Sequence, residues 1–241
     1  MSKAHWITKA PIAHRGYHDM NRNIWENTSS AFARAIESGF SIECDLQLSS
    51  DEVAIVFHDY ETNRLCGMDG AVRELSADAL TQLHVGKTVD RILTFRQMLQ
   101  QVNGNVGLIV ELKPPKKEDV FVFARSVLSD LEYYEGKVAL MSFDAKLVEE
   151  LLSRNSKWSV GLVAAEFNEA ETAKNHEALQ LPLDFVSFCV EHLPSTFVSN
   201  ARAKGLPVIT WTVRDDEGIK KTSDFADQIT FEGFDPLTLS A

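Results

Sequence analysis

His14, Glu43, Asp45, His58 and Glu111 are the residues of this chain whose types and positions could do chemistry together. Each lies at or near the end of a short apolar run: Ile12-Ala13-His14-Arg15-Gly16, Ile42-Glu43-Cys44-Asp45-Leu46, Val56-Phe57-His58-Asp59 and Val110-Glu111-Leu112-Lys113. Strand ends are where α/β proteins expose reactive side chains. Glu43 and Asp45 are two apart, so on a strand both point to one face. Crowded there with Glu111, they would repel and raise one another's pKa unless a cation lay between them. Hard oxygen ligands of this kind suit Mg²⁺ or Ca²⁺. The other arrangement open to them is an internal salt-bridge layer with Arg15 and Lys113. His14 and His58 could serve as metal ligands, as an acid–base pair or as buried structural groups. Histidine titrates near neutrality, and two of them facing one substrate fit acid–base cleavage of an ester. Arg15 and Lys113 would then supply anion contacts, arginine favouring bidentate recognition of phosphate.

The elements that must position these groups alternate. Apolar, β-branched runs recur at Pro11–His14, Ser41–Leu46, Val106–Leu112, Val138–Ser142, Trp158–Val163, Asp184–Cys189, Pro207–Val213 and Gln228–Phe231. Helical patterning lies between them. Asn27-Thr28 precedes Ala31–Ser38 and Gly39 stops it, Pro114-Pro115 precedes Lys116–Leu131, and Asp144 is placed to cap Ala145–Arg154. Further helical pieces fall near Asn168–Leu179, Ser195–Lys204 and Asp215–Thr222. Such alternation predicts a parallel sheet, and eight strands over 241 residues predict a closed (β/α)₈ TIM barrel.

Val53–His58 stands outside that count. It follows the second strand after only Ser49-Ser50-Asp51-Glu52, too short for a parallel crossover, so it must fold back as a hairpin. A turn centred on Ser50-Asp51 sets Val56 opposite Asp45 and His58 opposite Glu43, and a slip of one or two residues still leaves His58 beside the carboxylates. The stretch from Tyr60 to Thr94 is poorer in strand signals and reads as a small insertion over the barrel mouth, with a short helix near Ser76–Leu83. No repeat or linker interrupts residues 1–241, which predicts a single domain.

The charge of −11 argues against nucleic acid or an anionic membrane surface as the main partner. Three cysteines without CxxC spacing read as free thiols of a reducing compartment. No run has signal-peptide or transmembrane length, so a cytoplasmic location without membrane insertion is expected.

In order along the chain, these residues resemble the glycerophosphodiester phosphodiesterases, which share a phospholipase-C-like barrel. The resemblance runs through His14-Arg15-Gly16, Glu26-Asn27-Thr28 with Ala31-Phe32, Glu43-Cys44-Asp45, Ser50-Asp51, His58-Asp59 and Glu111-Leu112-Lys113, with later echoes at Ser142-Phe143 and Thr210-Trp211-Thr212-Val213. It implies metal-dependent hydrolysis of a small-molecule glycerophosphodiester to glycerol 3-phosphate and an alcohol. His14 and His58 are then the acid–base pair, and Glu43, Asp45 and Glu111 the ligands of one divalent cation, Mg²⁺ or Ca²⁺. Arg15 and Lys113 contact the phosphate, and Trp211 walls the alcohol or glycerol pocket.

Some positions depart from the family pattern. Trp25 stands where proline usually precedes Glu26-Asn27-Thr28, and Arg214 where asparagine is frequent. Ala226–Gly233 replaces the usual Asp-Gly…Thr-Asp ending, and Tyr60–Leu65 keeps only Thr62 and Arg64 of an Asp-Arg-Thr-Thr run. These changes spare the acid–base and metal groups and bear on the leaving group. Two rival readings follow: a lysophospholipase D or sphingomyelinase-D-like activity on lipid diesters, and a phosphate-ligand-binding barrel without turnover. His18 lies four residues after His14, but Gly16 interrupts any helix between them, so a helical metal pair is not expected; His5, His84, His176 and His192 show no partnering pattern and read as surface or structural residues.

Overall fold

Asp45 lies level with Glu111, and Ala13 with Phe231, in a ring of eight parallel strands that closes on itself. The computed structural model describes residues 3–114, 119–154 and 157–239. Its ring strands are β1 (Ile12–Ala13), β2 (Ser41–Leu48), β5 (Leu108–Leu112), β6 (Val138–Ser142), β7 (Ser159–Ala164), β8 (Phe185–Cys189), β9 (Val208–Val213) and β10 (Gln228–Phe231). Closure follows from β1, which pairs with both β10 and β2. Outside the ring, β3 (Ala54–Val56) runs antiparallel to β2, and β4 (Leu93–Thr94) antiparallel to β3.

The helices begin and end on local signals. Thr28 caps α1 (Ser29–Glu37) by accepting from the Ala31 amide, and Gly39 leaves the helix at φ +71°. Asp144 accepts from the Lys146 and Leu147 amides at the start of α6 (Ala145–Arg154). α7 (Glu169–Ala178), α8 (Thr196–Ala203) and α9 (Asp216–Phe225) occupy the expected segments. α5 covers Val120–Asp130, while the expected start of that helix falls on 115–118, outside the described residues. α4 (Phe95–Val102) had no counterpart among the expected elements. Among the described residues, no helix is long and apolar enough to cross a membrane.

Apolar residues fill two layers. One packs the outer faces of the strands against the helices. The other fills the barrel interior with Ile12, Ile109, Ala139, Val163, Phe185 and Ile209, and Ile7 of the short N-terminal helix His5–Thr8 joins them. With the interior filled, only the carboxyl ends of the strands are left to hold a site.

The insertion has its own small core of Ile55, Phe57, Leu65, Val72, Leu80, Val85 and Ile92, built on β3 and the short helices α2 (Asn63–Cys66) and α3 (Ala77–Thr81). Trp25, at the position where the family favours proline, packs against it. Gly86 makes that packing possible: its φ is +62°, and a Cβ there would lie 2.3 Å from the indole of Trp25. Gly86→Ala is therefore expected to destabilise the protein by about 2–4 kcal/mol, through overpacking plus left-handed strain. A drop in Tm of roughly 5–15 °C in calorimetry would register it.

The hairpin forms, but one residue out of the expected register. Val56 pairs with Leu46, not Asp45. Ser49 pairs with Val53 across a three-residue loop, and Glu52 takes φ +63°, which adds a residue to the turn. A one-residue slip would turn His58 to the wrong face if the strand continued. Instead β3 ends at Val56, and the chain turns so that His58 still reaches the mouth. Gln47, fully buried, fixes that turn by donating its Nε2 to the His58 carbonyl at 3.0 Å.

Candidate active site

His14 leaves β1 with its amide still donating to the Phe231 carbonyl at 2.9 Å. Arg15 and Gly16 then turn sharply, with φ +54° and +81°. A Cβ on Gly16 would sit 2.8 Å from that of Ala31, so the turn has no room for one. The turn aims the Arg15 amide at Glu43 Oε2, 2.9 Å away.

Three carboxylates meet at the next strands. Glu43 and Asp45 from β2 and Glu111 from β5 are close enough for one oxygen of each to lie within 4.8 Å of the others. Burial and the charges of Asp45 and Glu111 push the Glu43 pKa well above its ordinary value. Burial and Asp45 push Glu111 up to about 8. Burial would also raise Asp45, but the charges of His58, Lys113 and Arg15 and the Asn27 amide hold it below its ordinary value. Asn27 Nδ2 donates to Asp45 Oδ2 at 2.9 Å. Arg15 Nε and Lys113 Nζ approach Asp45 at 3.6 and 3.7 Å, beyond hydrogen-bond reach. Among the described residues, no lysine or arginine forms an ion pair with Glu43 or Glu111. The salt-bridge layer is thus incomplete, and a divalent cation among hard oxygens fits the charge left over.

Each histidine has its Nδ1 against a carboxylate. His14 Nδ1 lies 2.6 Å from Glu232 Oε2, and His58 Nδ1 lies 2.7 Å from Asp59 Oδ1. Burial lowers the pKa of both rings, opposed at His14 by the Glu232 hydrogen bond and at His58 by the charge of Asp45. Asp45 is the carboxylate whose charge is felt most at His58. Behind each dyad stands an arginine: Arg214 Nε donates to Glu232 Oε1 at 2.7 Å, and Arg64 Nε to Asp59 Oδ2 at 2.5 Å. Burial alone would raise the Glu232 pKa, but the hydrogen bond with His14, the His18 ring 3.5 Å away and the charge of Arg214 hold it well below the carboxylate range.

His18 has more of a partner than its spacing indicated. The turn, not a helix, brings His14, His18 and Glu232 together with donor atoms within 4.8 Å of one another. Here the carboxylate is already engaged by His14 and Arg214, so the charge balance that favours a cation at Glu43, Asp45 and Glu111 is absent.

All eight candidate residues (His14, Arg15, Glu43, Asp45, His58, Glu111, Lys113 and Trp211) line one cavity of about 300 Å³. Trp211 donates its indole N–H to the Ser187 carbonyl at 3.3 Å and meets Phe143 edge-to-face at 5.5 Å. Phe167, Cys189 and Glu191 continue that wall. Glu232 and Arg214, known from the sequence only as departures from the family pattern, belong to the site. Their signal was position: each directly follows a ring strand, and β10 neighbours β1.

Comparison with known proteins identifies the family. The sequence pattern of the glycerophosphoryl diester phosphodiesterase family matches residues 14–232. A glycerophosphodiester phosphodiesterase of Caldanaerobacter subterraneus subsp. tengcongensis is 24% identical over 219 residues, spanning 87% of this chain and 88% of its own. Among solved structures, an Oleispira antarctica phosphodiesterase in complex with the product sn-glycerol-3-phosphate matches with a TM-score of 0.79 at 20% identity over 91% of each chain. The Thermotoga maritima glycerophosphodiester phosphodiesterase matches at 0.75 and 24% identity, over 92% of this chain and 94% of its own. Barrel and sequence pattern together define a phosphodiester hydrolase. The chain belongs to the glycerophosphoryl diester phosphodiesterase family.

Proposed function

We propose that the protein hydrolyses glycerophosphodiesters to glycerol 3-phosphate and an alcohol, with His14 and His58 moving the protons. The observation that carries this reading is the pair of carboxylate-anchored histidines flanking Glu43, Asp45 and Glu111 in one cavity. Because Nδ1–H of each ring donates to its carboxylate, Nε2 is left as the proton-accepting atom. One ring removes the proton of the attacking oxygen, and the other, protonated, delivers one to the departing alcohol oxygen. Arg15 Nε is buried without a hydrogen-bond acceptor among the described residues, so a phosphate oxygen in the cavity would satisfy it, with Lys113 beside it. Glu43, Asp45 and Glu111 would hold one Mg²⁺ or Ca²⁺, whose chemistry is to neutralise charge that develops on the phosphate. The product held by the Oleispira antarctica relative supports glycerol 3-phosphate as the product here.

Purified protein given glycerophosphocholine should release glycerol 3-phosphate, stop with a chelator and restart with added Mg²⁺ or Ca²⁺. No chelator-sensitive release would overturn the proposal; full ligand binding without turnover would point to a binding barrel. Phe143 and Phe167, both at the cavity and 49% and 64% exposed, favour a second reading in which lipid diesters are also cleaved. Assay of lysolipid micelles beside the water-soluble diester separates the two.

A further inference from the structure

We propose that Arg64, on the insertion between β3 and β4, is a positioning residue that sets one proton-transfer histidine and the phosphate-binding arginine together. This rests on the roles just assigned to His58 and Arg15. Arg64 makes four contacts. Nη1 and Nη2 donate to Glu26 Oε2 and Oε1 at 3.0 and 2.8 Å, and Nε and Nη2 donate to Asp59 Oδ2 and Oδ1 at 2.5 and 2.8 Å. Each carboxylate passes the constraint inward. Glu26 Oε1 accepts from Arg15 Nη1 at 2.7 Å, and Asp59 Oδ1 meets His58 Nδ1 at 2.7 Å. The chain of contacts therefore runs Arg15–Glu26–Arg64–Asp59–His58, with Arg64 at its centre.

The geometry requires a guanidinium. Two edges of one planar group serve two carboxylates, and the point charge of a lysine cannot bridge both. Nor does the insertion need Arg64 to fold, because it has its own apolar core of Phe57, Leu65, Val72, Leu80, Val85 and Ile92. Arg64 is 44% exposed, and ion pairs at such exposure add little stability. Its effect should therefore appear in the site more than in the melting temperature. Glu26 keeps Arg15 and the Asn21 amide, at 2.6 Å, when Arg64 is removed. Among the described residues, Asp59 keeps only the ring it is meant to orient.

The test compares wild type with Arg64→Ala and Arg64→Lys on glycerophosphocholine at saturating divalent cation. Arg64→Ala should lose roughly 10- to 100-fold in kcat, the scale of a displacement of about 1 Å in a reacting group. KM should rise several-fold and Tm should stay within about 5 °C of wild type. Arg64→Lys should recover only part of either parameter. The combined loss in Arg64→Ala with Asp59→Asn should be smaller than the product of the single losses, because both act on His58. A readout independent of turnover is the hydrogen-bonded Nδ1–H proton resonance of His58, assigned by its loss in His58→Gln; it should broaden or move upfield in Arg64→Ala. Kinetic parameters within two-fold of wild type, or an unmoved resonance, would overturn the inference. If wild type itself releases no glycerol 3-phosphate, the hydrolytic reading falls, and the resonance alone decides whether Arg64 orients His58.

Discussion

His58→Ala is expected to lower kcat by about 10²- to 10⁴-fold, the range that one positioned proton donor or acceptor contributes. His14→Ala should fall in the same range. Neither change should unfold the protein. Asp59 keeps Arg64 and Glu232 keeps Arg214 when the ring is removed, so no carboxylate is left buried without a partner. Burial lowers both histidine pKa values, so the ring that acts as base keeps its accepting nitrogen to lower pH than a solvated histidine. The acidic limb of the wild-type kcat/KM profile should accordingly lie below the ordinary histidine value of about 6.5. Glycerol 3-phosphate release across pH, beside a melting curve for each variant, checks both points. Unchanged turnover in either variant would remove that histidine from the chemistry.

The second large effect is thermal. Cation-stripped protein should gain roughly 5–10 °C in Tm at about 100 times the Kd of Mg²⁺ or Ca²⁺, the linkage expected for a ligand that binds only the folded state. The gain should grow with pH. Glu111 is pushed up to about 8 in the cation-free site, so it holds a proton at neutrality. A carboxyl raised in this way stabilises the fold fully below its ordinary pKa and loses that contribution as pH climbs toward 8. A bound cation replaces the proton and removes the loss. Differential scanning at pH 6 and pH 8, with and without the cation, measures the difference. Glu111→Gln should abolish most of the shift; a full shift in that variant would mean that the cation binds elsewhere.

The candidate residues were legible because they sit on strands or just after them. Glu43 and Asp45 two apart, and Glu111 at the end of the next ring strand, identify a shared face before any coordinates are known. The hairpin was legible too, since four residues cannot make a crossover. Its register was not, because the left-handed Glu52 adds a residue to the turn and nothing in its side chain announces that conformation. Helix α4 passed unnoticed, although Thr94 and Gln97 form a reciprocal capping box. Glu232, Arg214 and Arg64 were harder still. Glu232 meets His14, 218 positions away, through barrel closure; Arg214 meets Glu232, 18 away, across β9 and β10; and Arg64 meets Glu26, 38 away, through the folded insertion. Sequence periodicity reports which face a residue takes, not which distant residue shares it.

Around the ring, the titrating side chains are not evenly spread. His14, Glu43, Asp45 and Glu111 come from β1, β2 and β5, which are consecutive neighbours, with Glu232 following the adjoining β10. Across the cavity, the ends of β6, β7, β8 and β9 offer Phe143, Phe167, Cys189 and Trp211. The loops after β6 and β7 can thus change in length or composition without displacing His14, Glu43, Asp45, His58 or Glu111. If the proposed roles hold, such a partition makes the scaffold evolvable: leaving-group preference can drift along one arc while the reaction is inherited along the other.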